Sequence, residues 1–180
     1  MDWWEWLSLA LGIIGLIAFL MAIQPFVAMN WGAPKLSSGL HLQPRDSRTI
    51  LTYYIWNVPI TKGFLNKLRI RRSTAEDLSA TFRIIEEPSG ELVFSAMPLI
   101  NTSNGVSARS VSLPASTTQS YFYIAIACDG KVYPERVGSE PLQVGSYRVE
   151  VDLTLEGKEK SHVRERFIVR DREPFIHFVQ

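Results

Sequence analysis

Residues 145–155 read Gly-Ser-Tyr-Arg-Val-Glu-Val-Asp-Leu-Thr-Leu, and this stretch decides the fold. Tyr147, Val149, Val151, Leu153 and Leu155 alternate without a break with Arg148, Glu150, Asp152 and Thr154. Successive side chains of an extended chain point to opposite faces, so the pattern specifies a strand with one buried and one solvated side. Glu156-Gly157-Lys158 turns the chain, and Val163 to Val169 returns beside it.

The same signals recur outward from this hairpin. Thr49 to Trp56 (TILTYYIW) is rich in β-branched and aromatic residues and stops at Asn57-Val-Pro59. Leu78 to Glu86 alternates through Ala80, Phe82 and Ile84, and Pro88-Ser-Gly90 turns it into Glu91 to Ala96. Tyr121 to Cys128 (YFYIAIAC) is followed by Asp129-Gly130 and Lys131-Val-Tyr133, a second hairpin signal. Short strands divided by turn residues specify an antiparallel sandwich. Ile60 to Asp77 departs from the pattern. Phe64, Leu65 and Leu68 recur at helical spacing and Ser73-Thr-Ala-Glu76 has the form of a capping box, which predicts one or two helical turns. Ala33 to Arg45 (APKLSSGLHLQPR) is rich in Pro, Ser and Gly and reads as a linker.

Gly145 to Leu153 resembles the late strand of immunoglobulin-like and fibronectin-like sandwiches, where Gly-x-Tyr precedes alternating Val and Leu. The resemblance implies that the Tyr147 hydroxyl bonds the backbone at a corner. It covers about nine residues of a functionally diverse class, so it informs the fold and not the activity. The paired cysteines of antibody domains are absent, and Trp56 is the one tryptophan available to a core.

Toward the start of the chain the composition changes. Trp6 to Gly32 is a run of 27 residues without Asp, Glu, Lys or Arg, and 7–31 reads LSLALGIIGLIAFLMAIQPFVAMNW. About 20 apolar residues cross a hydrocarbon core of roughly 30 Å, so the run is long enough to span. Trp3, Trp4 and Trp6 at one end and Trp31 at the other are the interface anchors expected of such a helix. Pro25 predicts a kink or stop near Gln24. A cleaved signal peptide fits poorly, because Asp2 and Glu5 stand where a basic n-region belongs and no A-x-A pattern follows. Ser8 with Gly12 and Ala18 with Ala22 form small-x-x-x-small pairs of the kind that favour homodimers through a span.

Charge asymmetry sets the expected orientation. Residues 1–34 carry two acidic side chains and no basic one, whereas 35–72 carry eight basic residues against Asp46 alone. Lys35, Arg45 and Arg48 lie nearest the span, and the positive-inside rule then puts the soluble part in the cytoplasm of a single-pass cell-membrane protein. A lone Cys128 is compatible with that compartment. The tripeptide Asn101-Thr-Ser103 matters as a glycosylation acceptor only in a eukaryotic lumen.

Chemistry-bearing motifs are sparse. His41, His162 and His177 lack metal-ligand spacing, no Gly-rich phosphate loop or nucleophile elbow occurs, and Cys128 closes an apolar run as a buried structural thiol would. Asp129-Gly130 offers one carboxylate, enough for a turn and too few for calcium. Glu86 and Glu87 are adjacent in a strand and face opposite sides. No catalytic, cofactor or metal residue is therefore assigned, and the chain is expected to be no enzyme. One basic cluster stands out: Lys62, Lys67, Arg69, Arg71 and Arg72, which could face anionic lipid or simply water. Residues 73–180 carry a net charge of −4, which argues against nucleic acid as a partner.

The expectation is thus an all-β chain: an antiparallel immunoglobulin-like β-sandwich preceded by one N-terminal transmembrane α-helix. Its anchor is 1–32, its linker 33–48 and its sandwich domain 49–180, with residues 6–31 in the membrane. The expected role is a non-enzymatic binding or scaffolding module at the membrane surface. The alternatives are an exported or periplasmic recognition or adhesion domain, or an accessory subunit of a membrane complex.

Overall fold

The computed structural model describes residues 2–45, 48–61 and 71–179. Among these residues one helix, α1 (Trp3–Trp31), is followed by twelve strands: β1 (Leu36–Arg45), β2 (Arg48–Asn57), β3 (Ala75–Glu87), β4 (Leu92–Ala96), β5 (Ile100–Asn101), β6 (Ser107–Ala108), β7 (Ser110–Leu113), β8 (Ser120–Cys128), β9 (Lys131–Pro134), β10 (Gly145–Leu155), β11 (Lys158–Val169) and β12 (Ile176–Val179). They form two six-stranded antiparallel sheets. The first has the order β1-β2-β8-β5-β6 with β9 beside β8, and the second β12-β11-β10-β3-β4 with β7 beside β3.

The alternation read from β10 is realised. Tyr147, Val149, Val151, Leu153 and Leu155 are all buried, and they share one core with Leu78, Ala80, Phe82 and Ile84 of β3 and Leu51, Tyr53, Ile55, Phe122 and Ile124 of the first sheet. Phe82 stacks on Phe122 across the sandwich, ring centroids 6.0 Å apart at 26°. Each buried Val, Leu, Ile or Phe among them contributes about 1.5–3 kcal/mol, and together they weld the sheets. The corner bond is present too: Tyr147 Oη donates to the Gln143 carbonyl at 2.9 Å.

Two hairpin turns follow directly from sequence. Asp129 (φ 52°) and Gly130 (φ 73°) join β8 to β9, and Glu156 (φ 51°) and Gly157 (φ 73°) join β10 to β11. Both central residues of each lie in the left-handed region, as a type I′ turn requires.

Four expectations change. Leu36–Arg45 is no linker but β1, paired with β2 along all ten residues. Its inward Leu36, Leu40 and Leu42 pack against the core, while Gly39, Gln43 and Arg45 stay outside. Of the predicted helical turns, Phe64, Leu65 and Leu68 lie outside the described residues, and the capping-box residues Ala75 and Glu76 open strand β3. There the burial of Ala75 and Leu78 in the sheet outweighs the local helix signal. Of the kink or stop expected near Gln24, the stop does not occur: helix α1 runs through Pro25 to Trp31, since a proline deletes one rung of the ladder and leaves the rest. Trp56 lies half-buried on the outer side of β2 and not in the core.

The outer face of the second sheet holds an ionic ladder. Glu150 pairs in register with Arg83 on one side and Arg164 on the other. Its carboxylate sits 3.6 Å from Arg83, 3.2 Å from Arg148 and 3.1 Å from Arg164, and only 8% of the side chain is exposed. Asp152 takes Arg83 at 2.7 Å and also His162, while Glu87 takes Arg148 and Arg166.

Unfolding of the full chain in detergent micelles, followed by β-sheet circular dichroism, should separate these contributions. Phe122→Ala is expected to destabilise the sandwich by about 3–5 kcal/mol, and Arg166→Ala, whose side chain is 63% exposed, by less than about 1 kcal/mol. Burial raises the Tyr53 hydroxyl above its ordinary pKa of 10.0, against the hydrogen bond with Ser38, which lowers it, and with a smaller upward push from Glu165. The unfolded tyrosine ionises first, so this stabilisation holds below pH 10 and is lost as pH rises beyond it. Tyr53→Phe should therefore flatten the loss of stability between neutral pH and about pH 11.

Candidate functional site at the helix exit

Where α1 ends, the chain is clasped by the sandwich. The buried Gly32 carbonyl accepts hydrogen bonds from the Ser73 backbone N–H at 2.6 Å and from Ser73 Oγ at 3.0 Å. Arg72 Nη1 donates to the Ala33 carbonyl at 3.0 Å. Lys35 is held on both sides, its N–H donating to Asn57 Oδ1 at 3.1 Å and its carbonyl accepting from Val58 N–H at 2.8 Å.

Asn57 is the hub. It is 1% exposed, and its Nδ2 donates to the carbonyls of Ser73 at 2.8 Å and Leu113 at 3.1 Å. Its own carbonyl accepts from Ser116 N–H at 3.1 Å. One carboxamide thereby satisfies backbone groups of the helix exit, of the segment leading into β3, and of the end of β7. Sequence reading passed over it as a strand terminus; the polar residue closing the apolar run Thr49–Trp56 was the only signal.

The clasp bears on the basic cluster. Val58 and Ser73 both touch residues of the helix exit, so the chain between them leaves and returns at the same end of the sandwich. Arg71 there is exposed and Arg72 half-buried. Lys62, Lys67 and Arg69 lie outside the described residues. At the far end of α1, Trp3, Trp4 and Trp6 are 73%, 72% and 58% exposed, and Trp31 is its last residue. From Trp3 to Ile23 the helix is long and apolar enough to cross a membrane, and none of it is buried by the sandwich.

Elsewhere the sequence-marked residues stay apart. His41 packs edge-on against Tyr54, His162 bridges Asp152 and Arg164, and His177 lies on β12. Among the described residues no three His, Cys, Asp or Glu side chains converge on a metal-sized site. Cys128 is buried, and its thiol donates to Asp129 Oδ2 at 3.4 Å. It lines a cleft of about 650 Å³ at the end of the sandwich away from α1, with Arg48 and Glu173 among the other walls. On the outer face of the first sheet, burial raises the hydroxyls of Tyr54 and Tyr123, helped in both by the neighbouring Tyr121.

No protein-family model matches the chain, and no curated protein matches it.

Replacing Asn57 by Ala leaves the Lys35 N–H and the Ser73 and Leu113 carbonyls without their partner. We expect a loss of about 3 kcal/mol, together with faster amide exchange at 32–36 and 73–75 than in Phe122→Ala at matched stability. Equal exchange in the two variants would show that the clasp has no local role.

Proposed function

We propose that the chain is a single-pass, signal-anchored protein of the cell membrane, with an immunoglobulin-like sandwich on the cytoplasmic side. In this reading the sandwich is a non-enzymatic binding or scaffolding module. The observation that carries it is the double hydrogen bond from Ser73 to Gly32, which seats the all-β domain directly on an apolar helix of membrane-spanning length. The strand orders β1-β2-β8-β5 and β11-β10-β3-β4 support the immunoglobulin-like part, since they follow the ABED and GFC arrangement with an added strand beside C. Tyr147 at the start of the F-equivalent β10 supports it further. Val149 stands two residues on, where antibody domains carry a cysteine.

Arg71 and Arg72 flank the helix exit, and Lys62, Lys67 and Arg69 belong by sequence to the same segment. We assign these residues to anionic headgroups, each worth about 1 kcal/mol near the surface. Self-association through the Ser8–Gly12 and Ala18–Ala22 faces of α1 belongs to the same reading.

Two measurements test it. With Cys128 replaced by Ala, a membrane-impermeant maleimide should label Asp2→Cys in intact cells, and Ser89→Cys, in the exposed turn before β4, only after lysis. The reverse pattern would place the sandwich outside and favour an exported recognition domain. In nanodiscs of the full chain, phosphatidylserine should slow amide exchange at 71–75 relative to phosphatidylcholine. Arg71→Glu should remove that difference, and no lipid dependence in the parent would sink the headgroup contact.

A further inference from the structure

The two outer faces of the sandwich are made of opposite materials. The second sheet presents the ladder of arginines and carboxylates around Glu150. On the first sheet, pairing brings aromatic side chains together on the outward side: His41 of β1, Tyr54 and Trp56 of β2, Tyr121 and Tyr123 of β8, and Tyr133 of β9. The tyrosines and the tryptophan are half-buried. Tyr123 and Tyr133 pack against Ile50, Ile126 and Cys128 of the same face in a cluster separate from the core. Among the outward positions of β1, β2, β8 and β9 the charged side chains are Arg45, Arg48 and Lys131, all basic and all at the end away from the helix exit. Asp129 in the adjoining turn and Glu173, which line one cleft with Arg48, are the acidic groups beside this edge among the described residues.

An uncharged aromatic centre with charge confined to one edge is the composition of a protein-docking face. The ring geometry narrows the occupant. His41 meets Tyr54 at 74°, Tyr54 meets Tyr121 at 47°, and Tyr121 meets Tyr123 at 44°. Rings tilted this far from one another form no continuous flat platform. They make knobs and clefts that aliphatic side chains fill. At the centre Thr52 is wholly buried, and its hydroxyl has no hydrogen-bond partner among the described residues. A second copy of the chain is disfavoured by charge. Copies anchored in one membrane stand in the same sense, so face-to-face packing would set Arg45, Arg48 and Lys131 of both at the same height.

We propose that the outer face of the first sheet docks a partner protein that presents aliphatic side chains to the tyrosine array and carboxylates to Arg45, Arg48 and Lys131. This deepens the binding role proposed above and rests on it, while being independent of which side of the membrane the sandwich occupies.

The test is photocrosslinking in cells that express the full chain, with p-benzoylphenylalanine at position 121, where the benzoyl group extends outward from the place of the tyrosine hydroxyl, or at Thr81 on the opposite outer face. A discrete protein adduct from position 121, at least fivefold stronger than from position 81, is expected. Its crosslinked peptide should carry Asp or Glu close to the attachment point. Arg45→Glu with Arg48→Glu, and separately Lys131→Glu, should weaken the adduct by roughly tenfold in chains that keep a trypsin-resistant sandwich. An adduct made only of this chain's peptides, one removed by nuclease or glycosidase, or one indifferent to both charge reversals would overturn the proposal. Adducts from position 81 alone would sink this face and leave a binding module standing; none from either position would sink both.

Discussion

Asn57 answers a problem that arises wherever a membrane helix meets a sheet: the last helical carbonyls and the first strand amides must find partners in the same few residues. A carboxamide suits the task because it accepts once and donates twice at a single point. Here it takes the Lys35 amide and serves the carbonyls of Ser73 and Leu113, while Ser73 in turn serves Gly32. Aspartate would keep the acceptor and lose both donors; leucine would lose all three. The helix therefore passes into β1 without a free hinge, and the sandwich has a defined exit end.

That constraint orders the rest of the molecule. With β1 fixed at Lys35, its ten-residue register with β2 follows, and through β2 the register of β8. The inward residues so aligned meet those of β3 and β10, with Phe82 and Phe122 in contact at the centre. Both outward faces then remain, and the chain treats them differently. One is neutralised by interleaved arginines and carboxylates, each strand supplying charges that its neighbour needs. The other is left to half-buried tyrosines whose rings lean on one another.

Local pattern was informative where one face of a strand is buried and the other is wet. Tyr147 to Leu155 could be read without ambiguity because every second side chain is apolar, and Asp129-Gly130 because its turn type demands left-handed backbone. The reading failed where composition and burial disagree. Leu36, Leu40 and Leu42 do alternate, but Ser37, Ser38, Gly39 and Pro44 around them carry the signature of a linker. Ser73 and Glu76 have capping-box spacing, yet Ser73 spends its hydroxyl on Gly32, a residue 41 positions away. Glu150 looked like one more solvated residue until three guanidinium groups on three strands closed over it.

Sequence by itself determined the apolar run from Trp6 to Gly32, the strand periodicity and the turns, because each depends on side chains within a few residues of one another. Tertiary structure alone decided that the chain after the helix is an edge strand, that Asn57 gathers the exit, and that tyrosines from three separate strands share one face. Those outcomes depend on pairing between segments up to about 80 residues apart. A strand's own period fixes which residues share a side, but its neighbours settle whether that side meets core, ions, partner or water.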